Sequence, residues 1–130
     1  MVGTFSNHGI EPDFDNNAIV KANQDRGSVD FPFNGNPEAA LFCCLDGHGR
    51  EGDKVSQYVV EMLNQYLERD NERLDSDPVT SMKEAFETTD RKLLNSDVNS
   101  QSSGTSVVAA YLKKDKACPP LRTSRDTVGR

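Results

Sequence analysis

Disulfide-forming capacity is nearly absent from this sequence. Its 130 residues hold three cysteines, Cys43 and Cys44 side by side and Cys118 far along the chain. An odd count at that spacing is no disulfide framework and suits a reducing compartment, so a cytoplasmic or nuclear location is expected. Long apolar runs are missing too. None approaches the roughly 20 residues that a spanning helix needs, and no basic-then-apolar pattern opens the chain as a secretory signal would. No membrane role is expected. Positive charge is in deficit: 15 Lys and Arg stand against 21 Asp and Glu, a net of -6, which argues against nucleic acid as the main partner. The deficit is uneven, because residues 113–130 carry a net of +4 and those before them -10. An acidic body of that kind suits the binding of cations. Internal repeats are absent. The length suits one domain, and 35% hydrophobic residues with a mean hydropathy of -0.69 allow a core within a polar chain.

What is present concentrates in residues 41–52, Leu-Phe-Cys-Cys-Leu-Asp-Gly-His-Gly-Arg-Glu-Gly. A short apolar run with aromatic and sulfur side chains predicts a buried strand, with Cys43 and Cys44 pointing to opposite faces and Cys44 counted with the core. The run stops at Asp46, where the strand is expected to end. Gly47, Gly49 and Gly52 then permit a sharp turn and close approach of a ligand to the main chain. His48 lies between two of them, exposed and free to reach a reaction centre.

Around this stretch the chain reads as alternating elements. Residues 1–17 are polar loop, and His8 is a solvated surface histidine. Residues 18–30 predict strand, polar break, strand, with Asn23-Gln24-Asp25 as the break: a turn, or a second cluster of oxygen ligands. Residues 31–38, with two prolines, two asparagines and a glycine, make a hairpin-like connection. Val55, Val59, Met62, Leu63, Tyr66 and Leu67 recur at helical spacing behind Asp53 as N-cap. The charge-rich residues 68–77 read as a connection. Asp77-Pro78 predicts an N-cap with proline at the first helical position, followed by a stripe of Val79, Met82, Phe86, Thr89 and Leu93 ending near Asn95. Both stripes are core faces. Residues 96–104 are serine-rich loop and residues 105–112 a strand. The tail, interrupted by Cys118-Pro119-Pro120, is unfavourable for a central strand. Three segments result: an N-terminal loop segment at 1–17, a domain at 18–116 and a divergent C-terminal tail at 117–130.

Asp46 and Asp25 with the Gly47 carbonyl and Gln24 are oxygen donors, the set that suits magnesium or manganese. Histidine beside such a site can serve as general acid. Leu45-Asp46-Gly47-His48-Gly49 resembles the signature of the type 2C, metal-dependent serine/threonine protein phosphatases. Asn23-Gln24-Asp25 resembles that family's upstream acidic motif, and Ser103-Gly104-Thr105-Ser106 its Ser-Gly-Thr-Thr strand opening. The three motifs stand in the family's order across residues 20–112. The resemblance implies an α+β fold, part of an α-β-β-α sandwich in which an antiparallel β-sandwich is flanked by helices, here incomplete. It implies that Asp46 bridges two metal ions, Mg2+ or Mn2+, that Gly47 binds one through its carbonyl, and that Asp25 sits in the same acidic cluster. Gln24 stands where the family usually has glutamate, and its ligation would run through water. His48 would donate a proton to the leaving serine or threonine oxygen of a phosphoprotein substrate, with metal-activated water as the attacking species.

Two departures qualify what is implied. The family places an arginine three residues before the Asn23 position to hold the substrate phosphate. Val20 stands there, and Lys21, one step on, is the candidate cation, although a one-residue shift on a strand points to the other face. The family domain also continues well past this length, with a hairpin strand after residues 105–112 and further aspartates. The chain is therefore expected to be a truncated, weakly active or inactive form, or a non-catalytic remnant that competes with a full-length phosphatase. A separate reading takes Cys44 and Arg50 as the Cys-x-x-Gly-x-x-Arg loop of a cysteine-dependent phosphatase. Against it, Asp46 would put negative charge inside the phosphate cradle.

Overall fold

The computed structural model describes residues 3–114 and the strand at 122–129. It is an α+β protein whose centre is a four-stranded antiparallel sheet. In chain order the elements are β1 (Ile10–Pro12), β2 (Ala18–Val20), β3 (Arg26–Asp30), β4 (Ala39–Gly49), α1 (Gly52–Arg69), α2 (Asn71–Ser76), α3 (Pro78–Leu94), β5 (Ser103–Lys113) and β6 (Arg122–Gly129). The large sheet runs β3-β4-β5-β6, and β1 and β2 form a separate antiparallel pair.

The long β4–β5 ladder explains the architecture. Leu41 pairs with Tyr111, Cys43 with Ala109, Leu45 with Val107 and Gly47 with Thr105. Side chains alternate across a strand, so these residues share one face, and all but Gly47 are buried. Helix α1 packs on β4, β5 and β3, and α3 lies beside α1 and against β6. The core therefore sits between one sheet face and the helix layer. It contains Leu41, Leu45, Val55, Val59, Leu63, Leu67, Leu93 and Val107. Phe33, in the β3–β4 connection, closes one end with its ring edge-on to Tyr111, centroids 5.8 Å apart.

The opposite face carries Phe42 against Ala110, Cys44 against Val108, Asp46 against Ser106 and His48 against Gly104. Val108 is 42% exposed and Leu112 40%. Among the described residues no second layer of helices or strands packs on this face. The arrangement is one helix layer on one sheet, matching part of the sandwich.

Several expectations are corrected. β4 does not end at Asp46 but runs to Gly49, because Ser103–Lys113 starts two residues earlier than its apolar run and supplies partners for the whole glycine stretch. Cys44 is exposed, not core; only Cys43 faces the helices. Helix α1 begins at Gly52 with Glu51 at the cap position, and Asp53 lies inside the first turn, where its charge still favours the helix dipole. Residues 68–77 contain a short helix, α2, anchored by fully buried Leu74. Val79 points outward at 61% exposure. The expectation that no hairpin strand follows β5 is also overturned: β6 pairs with it from Tyr111 opposite Arg122 to Gly104 opposite Gly129. The Cys118-Pro119-Pro120 interruption lies outside the described residues. Asp77 does cap α3, its carboxylate accepting from the Thr80 N–H at 3.2 Å with Pro78 behind it.

One polar link ties α2 to the sheet. Asp75 accepts from the Tyr111 hydroxyl and from the Lys113 ammonium, each at 2.6 Å. Burial works to raise the Asp75 pKa, but the hydrogen bonds from Lys113 and Tyr111 outweigh it and hold the carboxyl below its ordinary value. Burial, aided by Asp75, raises the Tyr111 phenol. A carboxyl lowered in the folded state contributes stability that is complete above its unfolded pKa, about 3.9, and is lost as pH falls through the lower folded value. Tyr111→Phe is accordingly expected to flatten the acid limb of stability against pH, measured by urea unfolding between pH 6 and pH 2. An unchanged limb would mean that this link does not contribute.

Candidate active site

β4 emerges from the core with Asp46 and His48 on its open face. The segment between β2 and β3 runs past the same strand end and delivers Gln24 and Asp25. Together they line a cleft of about 510 Å3 walled by Asn7, Gly9 and residues 21–25 and 46–49. The residues singled out for metal-dependent chemistry, Lys21, Gln24, Asp25, Asp46, Gly47 and His48, meet in this cleft, whereas Cys44 and Arg50 are not among its lining residues. Lys21 gets there because β2 stops at Val20. The strict facing rule for strands does not hold one residue past the strand end.

The local structure is built by side chain to main chain hydrogen bonds. Asn23 accepts from the Asp25 N–H at 3.1 Å, closing a tight turn. Arg26 braces that turn by donating to the Asp25 carbonyl at 2.7 Å and the Asn23 carbonyl at 3.1 Å, and it is itself held by Gln57 of α1 at 2.9 Å. Ser6 and Asn23 bond reciprocally, fastening the N-terminal segment to the turn. On the other wall, a Cβ on Gly47 would lie 2.5 Å from the Gly52 carbonyl oxygen and 2.6 Å from that of Gln24. Only glycine lets these three backbone segments converge. Ser103, fully buried, accepts from the Glu51 N–H at 2.9 Å and fixes the turn into α1.

Sequence reasoning missed the supporting residues. Ser56 is fully buried and donates to the Gln24 carbonyl at 2.7 Å. Its only sequence signal is a small polar residue on the apolar stripe of α1, beside Val55 and Val59. Arg26 and Gln57 carried no signal, because their pairing spans 31 positions. Asn7 and Gly9 join the cleft from a stretch read as plain loop.

The motif arrangement matches known proteins. A sequence model of the family described as Protein phosphatase 2C covers residues 8–122. The chain belongs to the protein phosphatase 2C family. It is 32% identical over 116 residues to "Probable protein phosphatase 2C 35" of Arabidopsis thaliana, covering 89% of this chain and 32% of that relative. It is 38% identical over 86 residues to "Probable protein phosphatase 2C 17" of the same plant, covering 65% of this chain and 29% of that relative. The chain thus spans about a third of the length of the curated relatives it matches.

The donor types agree in part with a family that uses Mg2+ or Mn2+. The Asp25 and Asp46 carboxylates and the Gly47 carbonyl are hard oxygen donors on an open cleft, which fits one such cation keeping several waters. Among the described residues, no group of three or more His, Cys, Asp or Glu side chains is placed so that it could hold a metal ion. A two-ion centre is therefore not completed by them.

The cysteine reading fails on geometry. A thiolate phosphatase loop needs consecutive N–H groups curled around one phosphate. Cys44 to Gly49 instead form extended strand, paired residue by residue with β5. Burial pushes the Cys43 thiol up to about 11, the Ser28 hydrogen bond opposing it weakly. Iodoacetamide at neutral pH is expected to alkylate Cys44 at least about tenfold faster than Cys43, read by peptide mass mapping. Equal rates would contradict the facing of the two thiols.

Proposed function

We propose that this chain contributes part of the active site of a metal-dependent protein serine/threonine phosphatase acting on phosphoserine and phosphothreonine. The observation that carries the reading is the convergence of Asp25, Asp46, His48 and Lys21 on one cleft. Asp25 and Asp46, with the Gly47 carbonyl, would hold the cation. Once bound, a cation of this kind neutralises phosphate charge and lowers the pKa of water. The Lys21 ammonium offers a point charge for the substrate phosphate, in place of the bidentate contact an arginine would make. His48, exposed at the strand end, supplies a proton from its imidazole to the departing serine or threonine oxygen.

By itself the chain is expected to hydrolyse weakly or not at all, since only two carboxylates of the described residues line the cleft. Hydrolysis of a phosphothreonine peptide by the purified chain, with Mn2+ and then with excess EDTA, tests this. Activity at ordinary phosphatase rates, lost with EDTA and with Asp46→Ala but kept with Cys44→Ser, would make the chain an autonomous enzyme. No turnover with Mn2+ bound would favour a non-catalytic competitor of a full-length phosphatase.

A further inference from the structure

Gln24 occupies a position where a cation ligand is implied, yet its side chain is committed elsewhere. Its amide nitrogen donates to the Gly49 carbonyl at 2.8 Å. Only the NH2 end of the amide can make that bond, since two carbonyl oxygens would repel, so the orientation is set by chemistry. The rest of the amide lies against Gly52, where an added Cβ would stand 3.0 Å from the Gln24 side-chain carbon. The Gln24 main-chain carbonyl accepts from buried Ser56 and also presses on Gly47. One residue therefore touches all three glycines of the motif, Gly47 inside Asp46-Gly47-His48 and Gly49 and Gly52 after it.

We propose that Gln24 is a positioning residue rather than a cation ligand: it latches the β4–α1 turn and so holds Asp46, Gly47 and His48 at the cleft mouth. A glutamate in its place has no donor for the Gly49 carbonyl above its own pKa and would repel it. The substitution that restores the family's acidic residue is thus expected to loosen this chain's turn. Ser56, by fixing the Gln24 main chain, keeps the amide within reach of Gly49.

The latch exists without metal, so its test needs none. The Glu51 N–H, held by Ser103 at 2.9 Å, reports whether the turn is closed. In the metal-free full chain at pH 7, Gln24→Met and Gln24→Glu are each expected to speed hydrogen exchange at Glu51 about fivefold to tenfold, the effect of one lost hydrogen bond on local opening. Exchange in the α1 and α3 amides should stay at the wild-type rate. Wild-type exchange at Glu51 in both variants at pH 7 overturns the proposal, as does loosening that spreads over the whole chain. The latch rests on the hydrolytic reading only for its purpose. Mn2+ titration of Gln24→Glu separates the two: affinity unchanged or lower agrees with a latch, whereas affinity raised tenfold or more with Glu51 exchange unaltered makes Gln24 a ligand position. Mn2+ binding that is insensitive to Asp46→Ala would count against the hydrolytic reading and leave the exchange result standing.

Discussion

Gly49→Ala is expected to destabilise the protein by about 3 kcal/mol or more, because it joins backbone strain to a collision that nothing can relieve. Gly49 has φ +85, a conformation L side chains rarely adopt, and an added Cβ would stand 2.7 Å from the Ser103 Cα, next to the Ser102 carbonyl. These are backbone atoms at the entry to β5, not the far end of a flexible side chain. Relief requires β4 and β5 to part at their site end. Urea unfolding followed by circular dichroism measures the loss. Gly35→Ala is the control: Gly35 has a similar φ of +75 but nothing within 4 Å, so its cost should be the strain alone, about 1 kcal/mol. Equal losses at the two positions would show that packing against β5 contributes nothing.

Asp46→Ala is expected to weaken Mn2+ binding by at least about a hundredfold while changing stability by less than about 0.5 kcal/mol. The second figure follows from the exposure of the side chain on the open sheet face. The first follows from removing one of two carboxylates that line the cleft, where even residues behind a ligand cost ten- to a hundredfold. Calorimetric titration with Mn2+ reads the affinity, and thermal unfolding of the same samples reads the fold. Affinity equal to wild type would take Asp46 out of any metal role. Loss of the fold along with affinity would instead make Asp46 a structural residue, at odds with its exposure.

Much of this was legible in the sequence where one physical preference dominated. The apolar run before Asp46 had to be buried strand, and the stripes of α1 and α3 had to face a core. Asp77-Pro78 announced a helix start because both residues favour it for independent reasons. Legibility failed where pairing or tertiary contact overrides local preference. Glycines and His48 have no taste for strands, yet the Ser103–Lys113 partner carries β4 on to Gly49. Cys44 had the composition of a core residue but the wrong parity in the alternation. Charge-rich α2 is helical through the one anchor of Leu74. β6 takes its place as a partner of β5, a pairing that the composition of the tail did not signal. At the site, Lys21, Gln24, Asp25, Asp46, Gly47 and His48, picked out by residue type, line one cleft. The hydrogen bonds that brace them from a distance, between Arg26 and Gln57, Ser56 and Gln24, and Glu51 and Ser103, connect positions far apart in the chain and leave no local trace.

The eleven-residue pairing of β4 with β5 is unbroken from Ala39 opposite Lys113 to Gly49 opposite Ser103, so core and cleft are written on a single reading frame of side-chain parity. Loss of one codon between Leu41 and Leu45 would carry Asp46 and His48 to the helix side and swing Leu45 toward water, unless the ladder slipped to compensate. Loss of a codon in the serine-rich stretch before β5 would change only the length of a connection. Such stretches should collect insertions and deletions as this lineage diverges, while the ladder admits substitutions alone.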